Sequence, residues 1–107
     1  MGETLKQIQR LVAEADILVS NHGYDELAMD DILVQDVIDG VNDAAVIEDY
    51  PNFYKGPCVL VRQFDHHRRP IHVVWGIPKE RTRPAVVVTA YRPDPARWRD
   101  DFMRRVS

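Results

Sequence analysis

Apolar side chains near the start of the chain recur every three or four residues, which is the spacing of an amphipathic helix. The repeating positions are Leu5, Ile8, Leu11, Val12 and Ala15. Thr4 followed by Gln7 has the form of a capping box, so this helix is predicted to begin near Thr4. The next residues, ILVS, contain β-branched side chains and predict a short strand. The segment NHGYDELAMD then predicts a brief helix capped by Ser20 or Asn21.

A further helix is predicted in DDILVQDVIDG. Its apolar stripe consists of Leu33, Val34, Val37 and Ile38. Asp30 or Asp31 is placed to accept hydrogen bonds from the first free amides of the helix. Gly40 suits a left-handed residue that ends it.

Beyond Asn42 the apolar period changes from helical to alternating. The four apolar runs are AAVIEDY, PCVLVRQF, PIHVVWGI and PAVVVTAY, and the loops between them are rich in Pro, Gly, Asn and charge. Such runs are typical of an antiparallel meander. The last segment, RPDPARWRDDFMRRV, predicts a C-terminal helix with Asp94 as its cap and Pro95 at its first position.

The order of these elements predicts an α+β fold in one domain spanning residues 1–107. We expect a four-stranded antiparallel meander, with the short N-terminal strand as an optional fifth member. The helices are expected on one face of this sheet, and a helix is expected at the C-terminus.

Alternation divides the strand residues between two faces of the predicted sheet. The nearly apolar face holds Val59, Val61, Ile71, Val73, Trp75, Val86, Val88 and Ala90. The mixed face holds Cys58, Leu60, Arg62, Phe64, His72, Val74, Val87, Thr89 and Tyr91. We expect the helices that begin near Thr4 and Asp31 to cover the apolar face, including Val61, Val73, Trp75 and Val88.

The mixed face is the predicted location of the chemistry. If DHHRR is the hairpin loop between two of the strands, Arg62 lies opposite His72, and the next hairpin brings Thr89 near His72. The face is then an open surface, an interface between copies or the floor of a ligand site.

Charge is divided unevenly along the chain, which has a net charge of −3. Residues 1–54 carry 2 basic and 12 acidic side chains, whereas residues 55–107 carry 12 basic and 5 acidic ones. A basic surface for phosphate is therefore compatible with an acidic protein, although the two halves also partly neutralise each other when they fold together. No apolar run is long enough for a membrane span and no secretory signal is present, so we expect a cytoplasmic protein without membrane contact.

The candidate chemistry rests on a histidine and its neighbours. His72 titrates near neutral pH and suits general acid or base work, with His22 and Tyr91 as further candidates. Arg62 and Arg92, with the hydroxyl of Thr89, are candidate phosphate or ligand contacts. The alternative is that His72 is a hydrogen-bonded structural residue and that the arginines form salt bridges.

Metal and cofactor sites are not predicted. Asp65, His66 and His67 supply oxygen and nitrogen atoms, but adjacent side chains point apart and no further ligand follows at a tight spacing. The lone Cys58 lies in an apolar run and predicts a buried, inert thiol.

Several segments together resemble the bacterial family called domain of unknown function 4258, from about Val19 to Arg105. The resemblance is carried by His22, the Glu-Asp-Tyr-Pro of residues 48–51, Pro70–Val74, Thr89–Tyr91, Pro93, Asp94 and Trp98. That family is similar in element order to small ribonuclease toxins of the RelE and BrnT type, which implies helices on one side of an antiparallel sheet. Members commonly carry arginines after the histidine that matches His22, and this chain has none between Tyr24 and Met29.

Two classes of function follow. The first is a toxin-like, metal-independent ribonuclease, in which His72 or His22 moves the proton and Arg62 and Arg92 hold the phosphate of RNA. The second is a non-catalytic module whose mixed face binds a partner. That partner is an antitoxin-like protein or a second copy of the chain.

Overall fold

Three α-helices and seven strands occur in residues 2–106, which the computed structural model describes. The helices are α1 (Glu3–Ala13), α2 (Asn21–Met29) and α3 (Val34–Asp39), and a 3-10 helix (Gly40–Asp43) follows α3. The strands are β1 (Ile17–Val19), β2 (Ala45–Tyr50), β3 (Cys58–Phe64), β4 (Pro70–Gly76), β5 (Ala85–Tyr91), β6 (Trp98–Arg99) and β7 (Arg104–Arg105). The predicted α+β class is confirmed. Within the described range, each helix is too short and too polar to cross a bilayer.

The main sheet has five strands in the order β1-β5-β4-β3-β2. Strands β2 to β5 pair antiparallel with their neighbours in sequence, whereas β1 pairs parallel with β5. The sheet is therefore mixed, and the predicted four-stranded antiparallel meander is incomplete as a description. β1 lies at the edge of the sheet beside β5, and the long connection from α2 to β4 that separates the two strands in sequence allows them to run parallel.

The helices cover the apolar face, as the alternation predicts for Val61, Val73 and Trp75, all of which are fully buried. Gln63 joins the sheet to α3 inside this core. Its amide donates to the carbonyl oxygen of Val37 at 2.8 Å and its oxygen accepts from the Trp75 indole at 2.8 Å. Both polar groups are satisfied, so their burial carries no desolvation penalty from an unpaired atom.

A bulge in β5 reverses the predicted faces of three residues. Val74 pairs with Thr89 but Trp75 pairs with Val87, so Val88 is the extra residue. Val87 is consequently buried in the core and Val88 is 38% exposed on the mixed face. Val86 pairs with Gly76 and also leaves the apolar face. The assignments of Val86, Val87 and Val88 were wrong because a single inserted residue inverts the alternation beyond it.

Of the helix caps predicted for α1, α2 and α3, only the cap of α2 forms as predicted. Ser20 caps α2 by accepting from the amide of Gly23 at 2.9 Å, as predicted. The capping box of Thr4 and Gln7 does not form, because α1 begins after Gly2 and the Gln7 amide donates to the carbonyl oxygen of Thr82 instead.

The ends of α3 differ from the prediction. No acidic side chain caps it, since Leu33 holds the N-cap position and Asp30 accepts from the amide of Arg92. Gly40 is right-handed, with φ at −82°, and the chain continues into the 3-10 helix. A Cβ at this position would lie 3.0 Å from the Gln63 amide nitrogen, so Gly40 is required for close packing on β3 rather than for a left-handed stop.

The prediction of a C-terminal helix was wrong. Asp94 does accept from the amide of Ala96 at 2.9 Å, but this cap starts one turn only. The chain then forms a two-stranded ribbon of β6 and β7. Asp100, Asp101 and Phe102 turn the chain with φ of 55°, 58° and 68°. Contacts between this segment and the mixed face override the local helix signal, as described next.

Candidate functional site

The mixed face of the sheet is covered at one end by the C-terminal hairpin, residues Trp98–Arg105. The Trp98 ring stands edge-on to the His72 ring at 4.4 Å, and the carbonyl of Phe102 also reaches His72. His72 is on the face away from the helices, yet it is fully buried. The hairpin is what excludes water from it.

Both ring nitrogens of His72 have partners. Nε2 lies 2.8 Å from the carbonyl oxygen of Phe102, and Nδ1 lies 3.2 Å from the hydroxyl of Tyr91. A carbonyl only accepts, so Nε2 carries the proton, and in the neutral ring Nδ1 accepts from the Tyr91 hydroxyl. Burial lowers the pKa of His72, the bond to Phe102 opposes this, and the charges of Arg105 and Arg62 lower it further. In the resting chain His72 is a neutral imidazole.

Arg62 lies opposite His72, as the sequence predicts. Its guanidinium donates to the carbonyl oxygen of Asp101 at 3.0 Å and lies 4.7 Å over the ring of Phe64. Its Nε is buried and has no hydrogen-bond partner among the described residues. An unpaired buried donor costs about 1 to 3 kcal/mol. The contact with the C-terminal hairpin thus leaves part of Arg62 unsatisfied.

The structure places the carboxylate of Glu48 on the mixed face, although the site predicted from the sequence does not include it. Glu48 accepts from the Tyr50 hydroxyl at 2.7 Å and from Arg105 at 2.5 Å. The bond from Tyr50 lowers the pKa of Glu48, burial opposes this, and Arg105 lowers it further. Glu48 is therefore an ionised carboxylate at neutral pH. Its signal in the sequence was its place with Tyr50 in VIEDYP, where alternation puts both side chains on one face.

The hairpin also links the carboxylate to the histidine. Arg105 lies 5.0 Å from the Trp98 ring, which contacts His72. Glu48 pairs with Leu60 and His72 pairs with Arg62, so the two lie two strands apart, roughly 10 Å across the sheet at the usual strand spacing. Trp98, which the sequence analysis named only for the family resemblance, contacts this cluster through the His72 ring.

Tyr91 joins the cluster as predicted, and Thr89 does not. Tyr91 pairs with His72 and its ring meets the histidine edge-on at 5.3 Å. Burial raises the pKa of Tyr91, so its hydroxyl stays protonated and donates. Thr89 lies opposite Val74, one pair further along, and no side-chain hydrogen bond is present at Thr89 in the described chain.

Arg92 has a structural role instead of a free guanidinium. It donates to the carboxylate of Asp65 at 3.0 Å and to the carbonyl oxygens of Asp30 and Asp31. Burial pushes the pKa of Asp65 upward, but bonds from the Arg69 amide and from Arg92 outweigh this and hold it below the usual value. Arg92 clamps the end of β5 to the turn after α2 and to the β3–β4 loop.

His22 lies outside the cluster. It belongs to α2, its side chain is 67% exposed, and its nearest acidic partner is Glu26 at 3.7 Å. The loop of Asp65, His66 and His67 folds around the Asp65 carboxylate, which accepts from the amides of His67 and Arg69. Among residues 2–106, no three His, Cys, Asp or Glu side chains are close enough to share a metal ion.

The other end of the mixed face is an apolar groove of about 340 Å³. Its lining consists of Phe53, Lys55, Gly56, Pro57, Cys58, Val74, Gly76, Ile77, Pro78, Val86 and Val88. Cys58 was predicted to be a buried, inert thiol, but it is only half-buried and lines this groove. Partial burial raises the pKa of its thiol, so it is a poor nucleophile at neutral pH. This apolar groove has no side-chain carboxylate in its lining.

Comparison with known families finds one match. The model described as Domain of unknown function (DUF4258) matches residues 19–92, more than half of the chain. The matched segment contains Glu48, Tyr50, Arg62, His72 and Tyr91, and it ends before the C-terminal hairpin. Neither the curated proteins nor the solved structures give a match.

Proposed function

The chain belongs to the domain of unknown function 4258 family, and we propose that it binds RNA on the mixed sheet face and cleaves it without a metal ion. The observation that carries the proposal is the convergence of Glu48, Arg62, His72 and Tyr91 from four adjacent strands on one side of the sheet. A carboxylate, a histidine and an arginine are the groups that proton transfer and phosphate binding require.

The roles follow from the state of each group. Ionised Glu48 takes the proton of a ribose 2′-hydroxyl, whose oxygen attacks the phosphorus. Protonated His72 gives a proton to the departing 5′-oxygen, which leaves a 2′,3′-cyclic phosphate and a 5′-hydroxyl. Arg62 balances the charge that develops on the phosphate oxygens. Tyr91 orients the His72 ring through Nδ1.

The resting arrangement is closed to substrate. His72 is buried and Glu48 is bound to Arg105. Substrate access on this proposal requires the C-terminal hairpin to move, and that movement returns His72 to water, where its pKa approaches the ordinary value and the protonated form becomes available at neutral pH.

The test is cleavage of a fluorescently labelled single-stranded RNA in the presence of EDTA, with product ends identified by mass. We expect a cyclic phosphate end, and a fall of about 10²-fold in rate for both Glu48→Gln and His72→Gln. Glu3→Gln, an exposed carboxylate on α1, is the matched control and should retain the full rate. Absence of cleavage by both the unaltered chain and Trp98→Ala, which loosens the hairpin, would overturn the proposal.

A second candidate function is protein binding through the apolar groove. Lys55 lines the groove, so a cation lies at the edge of an apolar surface. The complementary occupant is an acidic partner segment that places apolar side chains in the groove and a carboxylate at Lys55. An antitoxin-like protein with an acidic amphipathic helix has this chemistry.

Binding of two synthetic amphipathic helices distinguishes this candidate from self-association. Both peptides carry leucines on one face, and their other faces carry glutamates or lysines. We expect only the acidic peptide to bind, and we expect Val88→Asp to abolish its binding. Equal binding of both peptides would contradict the charge argument, and a dimer that Val88→Asp dissociates in sedimentation would assign the groove to a second copy instead.

A further inference from the structure

We infer that the guanidinium of Arg62 and the Nε2–H of His72 form a phosphate-binding site, called the seat below. The C-terminal hairpin closes this seat by placing two of its own backbone carbonyl oxygens on these donors. The choice of phosphate as the ligand rests on the proposed RNA chemistry. That the hairpin occupies the two donors rests on geometry alone.

Two donors on adjacent strands bond to two consecutive carbonyls. The Arg62 guanidinium donates to Asp101 at 3.0 Å and His72 donates to Phe102 at 2.8 Å. Neighbouring oxygens that accept from an arginine and a histidine reproduce what two phosphate oxygens do at such a pair. The remaining donor, the buried Nε of Arg62, has no partner in the described chain. A phosphate has a further oxygen for it, and the hairpin does not supply one.

The hairpin has a backbone that opposes closure. Asp100, Asp101 and Phe102 all have positive φ, which is a strained backbone conformation for residues other than glycine. These three residues include both residues whose carbonyls fill the seat. The energy stored in the turn therefore favours release of the carbonyls from Arg62 and His72.

The polar and aromatic contacts between the hairpin and the sheet are the two carbonyl bonds, the Arg105–Glu48 ion pair and the Trp98 ring on His72. The Arg105 side chain is 60% exposed, so its ion pair contributes little. Trp98 is therefore the main anchor. The family match ends at residue 92, so the seat lies within the shared region and the hairpin that fills it lies outside.

The experiment measures binding of inorganic phosphate to the full chain at constant ionic strength, from backbone amide shifts of Arg62, His72 and Phe102. Trp98→Ala weakens the closed state, so we expect phosphate affinity to rise about tenfold or more, because apparent affinity scales with the open fraction. Val106→Ala truncates an apolar residue beside β7 without touching His72 and should leave the affinity unchanged. Arg62→Gln in the Trp98→Ala background should abolish the gain.

A second variant moves the equilibrium the other way. Asp101→Gly relieves the left-handed turn, so it should stabilise the closed hairpin and weaken phosphate binding even though it removes a negative charge. Asp101→Asn removes the same charge and is its control. The inference is overturned if Trp98→Ala binds phosphate no more tightly than the unaltered chain, or if Asp101→Gly binds it more tightly than Asp101→Asn.

The same titration with a non-cleavable single-stranded RNA separates the two proposals. If RNA competes with inorganic phosphate and depends on Arg62, the seat serves the RNA backbone. If phosphate binds and RNA does not, the inference of a covered phosphate site is supported and the proposed ribonuclease function is rejected.

Discussion

The two ends of the mixed sheet face are built from the same strands and have opposite character. At the His72 end, polar groups from β2 to β5 are sealed beneath the C-terminal hairpin. At the Cys58 end, an apolar groove stays open to solvent. Polar side chains are usually exposed and apolar ones covered. On the proposals above, the covered end is a binding surface that the chain itself masks, and the open end is free for another molecule.

The difference has a physical origin in strand register. Arg62, His72 and Tyr91 form one row across β3, β4 and β5, and the β5 bulge shifts Val86 and Val88 onto the mixed face further along. Without the bulge, Val87 would have taken that place. The extra residue therefore decides which valines of β5 line the apolar groove, since Val86 and Val88 lie there and Val87 lies in the core.

The largest expected effect is a difference in stability between substitutions of the two arginines near this face, Arg62 and Arg92. Arg92→Ala removes the ion-pair partner of the buried Asp65 carboxylate, which keeps its bonds to the His67 and Arg69 amides, and should lower the free energy of unfolding by about 3 kcal/mol. Arg62→Ala removes a carbonyl contact and the stacking on Phe64, both at a half-buried side chain, and should change it by about 1 kcal/mol or less. Chemical denaturation of both variants measures this. Equal losses would mean that Arg62, too, is a structural residue.

The covered end should also carry a pH dependence. The folded-state pKa of His72 is depressed, so the unfolded chain binds a proton that the folded chain does not, and stability falls as pH drops below about 6.5. Arg62, Arg105, Tyr91 and, through Arg105, Glu48 are the groups around the ring. Unfolding midpoints between pH 7 and pH 5 should show a shallower decline for His72→Gln than for the unaltered chain. Parallel curves would contradict the assignment.

Local opening should differ between the two ends. Trp98→Ala should accelerate amide hydrogen exchange at Met103 and Val106 by about tenfold, because these amides bond within the hairpin segment. The matched truncation at the other end, Val88→Ala, should leave those amides unchanged. If Trp98→Ala accelerates exchange in β3 and β4 to the same extent, the hairpin is part of the global fold rather than a separate cover.

The smallest effect concerns Cys58. Burial raises its pKa, so alkylation at neutral pH should be several-fold slower than for free cysteine. Trp98→Ala should not change the rate, since the groove does not depend on the hairpin. Acceleration of alkylation in that variant would show that the two ends open together.

The sequence predicted much of this arrangement because much of it is local. Period and alternation located the meander, and the DHHRR loop put Arg62 opposite His72. The bulge at Val88 was beyond sequence reasoning, since nothing local marks an inserted residue. The prediction of a C-terminal helix was wrong although Asp94 and Pro95 do begin a helical turn. The contacts of Trp98 and Phe102 with His72 end that turn, and local sequence does not show them because they are made across the fold. Glu48 was missed because Arg105, which connects it to the His72 cluster, becomes its neighbour only when the hairpin folds back.

The C-terminal hairpin covers His72 on the face away from the helices. An NMR titration of the His72 imidazole in the unaltered chain and in Trp98→Ala measures the effect of this cover. We expect a pKa below the ordinary value of about 6.5 in the unaltered chain, and a return toward that value in the variant. Identical titration curves in the two proteins would contradict it.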